Sequence, residues 1–545
     1  MVLSGAASAL ATPAAAPYTV APAVSAAYAA IVANQKVKEG LDFLRADHDD
    51  TIAEQKTICE IPAPPFKEEV RARDYMQRLA ALGLKDVKMD SEGNVFGILP
   101  GTGKGPRLLV CAHLDTVFPE GTDVTVKEKD GRLYAPGIAD DTRGLVALLS
   151  VIRAFNKTGI KTVGDVIFCG DVGEEGLGDL RGVKALFRDD PNIDGFVSVD
   201  GTGNGICYLA TGSHRYEITC KGPGGHSFGA FGLPSATHAL GRAIAKIADL
   251  QTPKEPKTTF TVGTVSGGTS VNSIAAEAKM LVDMRSNDLA ELLKLEAKFL
   301  GIVKSAVSEE NARWNSDKMT VNIDLVGDRP AGSQPRDEAI VQAAWAASKA
   351  IGVEPELEEP SSTDANVPIA LGVPGITIGG GGKSFGGHSP GEYYDPTDAW
   401  LGPQQIFLNI LGLVGVDGVS EPLLAKGAKR PILLEVGGRL LLVAVSPYRA
   451  GATLMVPLRA VVEALKGEVA WDAATRGVVA RLGGRTLSAK VGSSAAFVDG
   501  ARLDLPAAVE LVKDTTVVPL EALTALGLKA KFVEAAQALM VSSGQ

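Results

Sequence analysis

Histidine is scarce in this chain, with six among 545 residues. The cysteines number five, an odd count spread over a large chain, and Cys111 and Cys169 lie inside apolar, strand-like runs. Thiols so placed read as buried and free, which excludes a disulfide scaffold. No segment offers about eighteen uninterrupted apolar residues, so no membrane span is expected. Blocks of Lys or Arg are absent and the formal charge is -10, which argues against nucleic acid or an anionic membrane as the main partner. The first basic residue is Lys36, so the Ala- and Pro-rich stretch before it lacks the charged n-region of a secretory signal. Residues 1–36 are therefore read as a linker or as a truncated export signal.

What is present is pattern. The length alone predicts about two to four domains. From residue 37 to 211, buried strand-like runs ("RLLVCAHLD", "DVIFCGDV", "GFVSVDG") alternate with helical ones such as "RGLVALLSVIRAF". That alternation predicts an α/β sheet with its ligand loops at the strand carboxyl ends. Residues 212–328 read β-α-β-β-α-β, the order of a ferredoxin-like α+β unit inserted into the first domain. The α/β pattern resumes over 329–418, and a linker spans 419–430. The tail, 431–545, repeats itself: "TLMVPLRAVVEALKGEVAWD" from Thr453 resembles "TTVVPLEALTALGLKAKFVE" from Thr515. Containing neither histidine nor cysteine, this module is a poor candidate for chemistry. With its own repeated core, it is expected to be dispensable for activity.

The scarce histidines make their placement informative. His113 follows a buried strand, and Asp115, two residues on, falls on the same face of an extended chain, where its carboxylate can hold the imidazole. His113 alone reads more simply as a hydrogen-bonded core histidine. Other strand ends change the balance: "GIADDTRG" places Asp140 and Asp141 before a helix, "VGEEG" gives Glu174 and Glu175, "VSVDG" gives Asp200 and "GGHSPGE" gives His388. So many like charges at one sheet edge repel unless cations sit among them. Ligands of His, Asp and Glu without thiolate suit zinc, cobalt or manganese. Neighbouring glutamates at a strand end diverge, so one can bind metal while the other acts as general base. "GGGGKS" is not a phosphate loop, because Thr377 stands where that motif needs glycine.

In order, "AHLDTV", "GIADDTRG", "GDVGEEG", "VSVDG" and "GGHSPGE" resemble the M20 family of dinuclear metallopeptidases and deacylases. The resemblance implies an α/β catalytic domain with an inserted lid or dimerisation domain, and two divalent ions, zinc first, with cobalt or manganese as alternatives. It implies His113 and Asp200 on one ion, Glu175 and His388 on the other, and Asp140 bridging. Glu174 matches the general base, Asp115 the carboxylate behind His113, and the Asp140-Asp141 peptide is expected cis. Thr142 departs from the family, where lysine is common. In "GPGGHSFGAFGLPSA", His226 matches the residue that reaches across a homodimer to the oxyanion. In "SVNSIAAEAKMLVDMRS", Asn272 and Arg285 match the substrate-holding pair, and an arginine fork suits a carboxylate.

The tail resembles the copper amine oxidase N-terminal-like module, here without copper ligands. Such modules accompany exported bacterial proteins, so a secreted or wall-associated location is expected, with the cytoplasm as alternative. The leading expectation is a metal-dependent exopeptidase acting on short peptides. The alternatives are an N-acyl amino acid deacylase and a wall-associated binding protein that has lost catalysis.

Overall fold

The run Arg107–His113 is buried along almost its whole length, which suits a central strand covered by helices on both faces. It lies in an eight-stranded sheet made of β1 (Lys85–Met89), β2 (Val95–Leu99), β3 (Arg107–His113), β4 (Asp165–Asp171), β5 (Gly195–Val199), β6 (Gly205–Cys207), β7 (Glu356–Leu357) and β8 (Gly375–Ile378). Their order in space is β1-β2-β4-β3-β5-β8-β6-β7. β4, β3, β5 and β8 run parallel, so their carboxyl ends share one edge. This computed structural model describes residues 18–427, 430–441, 443–534 and 537–544.

The helix Thr142–Thr158 is buried nearly all round. It starts where the Asp141 carboxylate caps the Gly144 N–H at 3.0 Å and stops at Gly159 in the left-handed conformation, a cap contributing about 1 kcal/mol. The amino-terminal reading needs correction. Pro22–Ala33 is a helix with Val24, Tyr28 and Ile31 buried, and these side chains belong to the same core as Leu108, Phe155 and Phe407. Tyr28 donates to the Leu408 carbonyl at 3.2 Å, and the Ala21 N–H donates to Gln342. From residue 18 onward the stretch is therefore part of the α/β domain. An apolar face carried by three residues among many alanines was too sparse to register as amphipathic. Residues 1–17 lie outside the described residues.

The insertion forms the strands Gly212–Lys221, Thr258–Gly267, Glu277–Ser286 and Thr320–Arg329, with the helices Ala236–Ala248 and Leu289–Arg313. The strands are antiparallel, with Glu277–Ser286 and Gly212–Lys221 central. Ile218, Leu240, Met280 and Phe299 fill a core of its own.

In the tail, the two similar halves pair through equivalent strands, Thr453–Pro457 against Thr515–Pro519, with Val456 opposite Val518. The tail has a private core. It is nevertheless not self-contained: Leu433 and Ala538 are buried in one cluster with Phe187, Phe196, Ile369 and Leu371 of the α/β domain. Arg430 lies over the Phe187 ring and donates to the Asp190 and Ile193 carbonyls.

Candidate metal centre

Parallel pairing sets β3, β4, β5 and β8 side by side, and the loops leaving them converge. His113 ends β3 and is buried, with its Nδ1 2.9 Å from the Asp115 carbonyl oxygen. A carbonyl can only accept, so Nδ1 carries the proton and the Nε2 of a neutral ring presents a lone pair. That Nε2 lies 3.0 Å from Asp140 Oδ1. On the other side, His388 Nε2 lies 3.0 Å from Asp140 Oδ2 and 3.0 Å from Glu175 Oε1. Asp140 thus offers one oxygen to each imidazole.

Ligand-type atoms of His113, Asp140 and Asp200 come within 4.8 Å of one another, as do those of Asp140, Glu175 and His388 and those of His113, Glu174 and Glu175. The first two groups share Asp140. Lone pairs this close to carboxylate oxygens need positive charge between them. Without other cations, protons supply it. Burial opposes protonation of His113, yet its hydrogen bond to Asp140 and the surrounding carboxylates push its pKa well up. The hydrogen bond to Asp140 takes His388 to about 9. Burial also opposes ionisation of Asp140, but the two imidazoles hold it below the usual carboxylate range. Burial takes Glu174, Glu175 and Asp200 to about 7, helped at Glu175 by Glu174 and at Asp200 by Asp140. The donor set fits two divalent cations.

The peptide Asp140-Asp141 is cis. The Asp141 carboxylate accepts the His113 backbone N–H at 3.1 Å, so it supports β3 and does not enter the cluster. Asp115 differs from expectation. Its carboxylate is 3.8 Å from His113 Nδ1 and instead accepts the backbone N–H groups of Gly173, Glu174 and Glu175 at 2.8, 3.2 and 2.9 Å. Two-residue spacing correctly placed Asp115 beside the histidine. It could not foresee that three amides of the next loop take the carboxylate while the carbonyl takes the ring.

His226 and Asn272 meet at a small exposed two-stranded pairing within the insertion, where the Ser227 N–H donates to the Asn272 carbonyl at 2.9 Å. Arg285 pairs with Asp283 at 2.7 Å. Among the described residues, none of these three is hydrogen-bonded to the histidine–carboxylate cluster.

Other contributors escaped the sequence reading. Buried Glu392 accepts the N–H groups of Gly137, Ala139 and Asp140 at 2.8, 2.9 and 3.2 Å, fixing the turn that carries Asp140. It closes "GGHSPGE", so its signal lay inside a motif already noticed. Arg143, fully buried, donates to the Gly380 and Ala399 carbonyls, both at 2.7 Å, and so holds the glycine loop leading to His388. Arg71 donates to the Ile61, Leu114 and Cys59 carbonyls beside the His113 strand end. Arg329 pairs with Glu174 at 3.0 Å.

A mixed sheet whose central strands run parallel, with imidazoles and carboxylates gathered beyond their carboxyl ends, defines an α/β enzyme with a cation-ready site. Comparison with known proteins narrows this. Residues 109–406, over half of the chain, match the model of peptidase family M20/M25/M40, so the chain belongs to that family and is a hydrolase of the peptidase/amidohydrolase kind. Residues 435–541 match the copper amine oxidase N-terminal domain. A succinyl-diaminopimelate desuccinylase of Nitrosospira multiformis is 25% identical over 371 residues, covering 64% of this chain and 94% of that protein. The aminopeptidase PepT of Bacillus cereus superposes with a TM-score of 0.54 at 22% identity, covering 67% of this chain and 98% of its own. The Bacillus subtilis YXEP protein, described as a dinuclear metal binding peptidase of the M20 family, gives 0.51 at 16% identity over 68% of this chain and 99% of its own.

Proposed function

We propose that the chain is a metal-dependent exopeptidase that hydrolyses a terminal peptide bond of short peptides, with Glu174 as general base. The observation that carries this reading is Asp140, whose two oxygens each face a different imidazole at 3.0 Å. His113 and Asp200 would hold one divalent ion, Glu175 and His388 the other, with Asp140 between them and zinc as the first candidate. A pair of such ions supplies Lewis acidity to a carbonyl and lowers the pKa of water from about 15.7 towards 7. Glu174 accepts the proton of the attacking water and returns it to the departing amine nitrogen, so the amide yields one carboxylate and one amine. Asp115 keeps the Glu174 loop in register through its three amide contacts.

His226 of a second copy of the chain donates to the developing oxyanion in this reading, while Asn272 and Arg285 take the carbonyl or carboxylate of the substrate. Phe228, Phe231 and Val271, large and exposed near His226, support a face that another protomer covers. The tail's resemblance supports a secreted or wall-associated location. One observation favours a second reading, N-acyl amino acid deacylation: the relative matched over 94% of its length is a desuccinylase. Metal analysis with a panel of dipeptides, tripeptides, N-acetyl and N-succinyl amino acids separates the two. Turnover confined to the acylated amino acids would overturn the exopeptidase assignment, and a protein that bound no metal would overturn both.

A further inference from the structure

The insertion meets the catalytic domain at two chain crossings, one near Thr211 and one at Arg329–Pro330. Asn366 grips both, donating to the Thr211 carbonyl at 2.8 Å and the Pro330 carbonyl at 2.9 Å. At the second crossing, Arg329 is only 4% exposed and turns inward. Its Nη1 donates to Glu174 Oε1 at 3.0 Å and to Ser362 Oγ at 3.3 Å, and its Nη2 donates to the Glu174 backbone carbonyl. One guanidinium therefore holds the side chain and the main chain of the same glutamate. The contact has company. The Asp328 N–H donates to Asp179 Oδ1 at 2.6 Å, and Arg215 of the insertion donates to the Gly176 carbonyl. The glutamate loop, 173–179, is thus fastened to β3 through Asp115 and to the insertion through Arg329, Asp328 and Arg215.

We propose that Arg329 is a positioning residue that aims the Glu174 carboxylate and makes its placement depend on the insertion. The inference rests on the reading of Glu174 as general base. A planar fork pre-organises two contacts at once, which an ammonium cannot reproduce. Buried beneath the loop, Arg329 acts through Glu174 without touching substrate. Loss of aim at a reacting group costs about 10²-fold in rate.

The test is a double-mutant cycle on the full-length, metal-loaded chain. Arg329→Ala is expected to lower kcat by about 10²-fold with KM and metal content nearly unchanged, Arg329→Lys to fall between it and the parent, and added methylguanidinium to restore part of the rate of Arg329→Ala. In the Glu174→Gln background, Arg329→Ala should cost almost nothing more, because the carboxylate it aims is already gone. In the metal-free protein, amide exchange of residues 173–179 should quicken in Arg329→Ala and slow again in Arg329→Lys. Equal losses in both backgrounds, or a loss confined to KM, would overturn the link. A Glu174→Gln variant with parental turnover would instead remove the base assignment itself.

Discussion

The insertion and the tail are both joined to the catalytic domain, but by opposite chemistry. The insertion has a core of its own and is hydrogen-bonded to its host through polar contacts: Arg329 with Glu174, Asp328 with Asp179, Arg215 with Gly176 and Lys184 with the Asp328 carbonyl. The tail places Leu433 and Ala538 in a common core with Phe187 and Leu371. Polar junctions exchange readily with water and permit relative movement, whereas apolar ones resist separation at about 25 cal/mol per Å² exposed. The proposed base, Glu174, sits under the polar junction. The tail braces the apolar cluster around Phe187 and Leu371.

If that division is right, the largest effect on turnover comes from the loop beneath the insertion. Glu174→Gln keeps size and hydrogen bonding but cannot take a proton, so turnover should fall by about 10²- to 10⁴-fold with both metals retained. Trp471→Ala, far along the tail, should leave kcat unchanged. A tail variant that matched the loss at Glu174 would erase the distinction. Glu175→Gln should differ from its neighbour by losing metal first, as measured by metal content before and after dialysis.

The two junctions can also be cut. Replacing residues 212–328 with a short glycine-rich linker should leave the catalytic domain folded, with its melting temperature little changed, while removing His226, Asn272 and Arg285 and with them activity. Ending the chain at residue 427 should do the reverse to stability, because Phe187, Ile369 and Leu371 lose their cover. Each side chain so exposed costs about 1.5–3 kcal/mol, read as a lowered melting temperature or insolubility. A stable, active truncation would show that the shared cluster contributes little.

Proton binding gives a smaller, graded effect in the metal-free protein. Burial pushes the carboxyls of Glu174, Glu175 and Asp200 up to about 7 in the folded chain, above their ordinary 3.8–4.5. Between those values the native state keeps protons that the unfolded chain has released, so stability falls as pH rises. His388, raised from 6.5 to about 9, extends the fall to about pH 9. Thermal unfolding of the metal-free chain should therefore weaken from about pH 5 to 9. Divalent metal, which displaces those protons, should stabilise more at each step upward. A flat metal-free profile would contradict the electrostatics of the cluster.

Most of the site's converging residues were visible in the sequence because strand ends announce themselves: an apolar run stops and a carboxylate or imidazole follows. His113, Glu175 and Asp200 share that signature, Asp140 stands just before a helix and His388 follows a glycine loop, and the fold gathers the five into two groups that share Asp140. What stayed hidden was carried by long-range hydrogen bonds. Glu392 reaches back 252 residues to Asp140, and Arg329 reaches 155 to Glu174. Neither distance leaves a trace in local spacing. The amino-terminal helix and the shared tail core were missed for a related reason: which apolar face is covered, and by what, is settled by tertiary packing, whereas periodicity records only that a face exists.

The smallest expected effect probes whether the tail also holds the insertion. Lys466 lies 3.4 Å from Asp324 of the insertion and is 80% exposed. An ion pair that open to water contributes about 0–1 kcal/mol and is screened by salt. Lys466→Ala should therefore shift the melting temperature by little, leave kcat and KM alone, and lose even its small effect in high salt. The outcome bears directly on the two junctions. If the tail clamped the insertion at this point, releasing it would free the Arg329 crossing and change turnover; if the tail braces only the catalytic domain, as its apolar core implies, the insertion should respond to Arg329 and Asn366 and ignore Lys466. A change in kcat for Lys466→Ala, measured at low and high salt, would show that the tail governs the insertion through its surface.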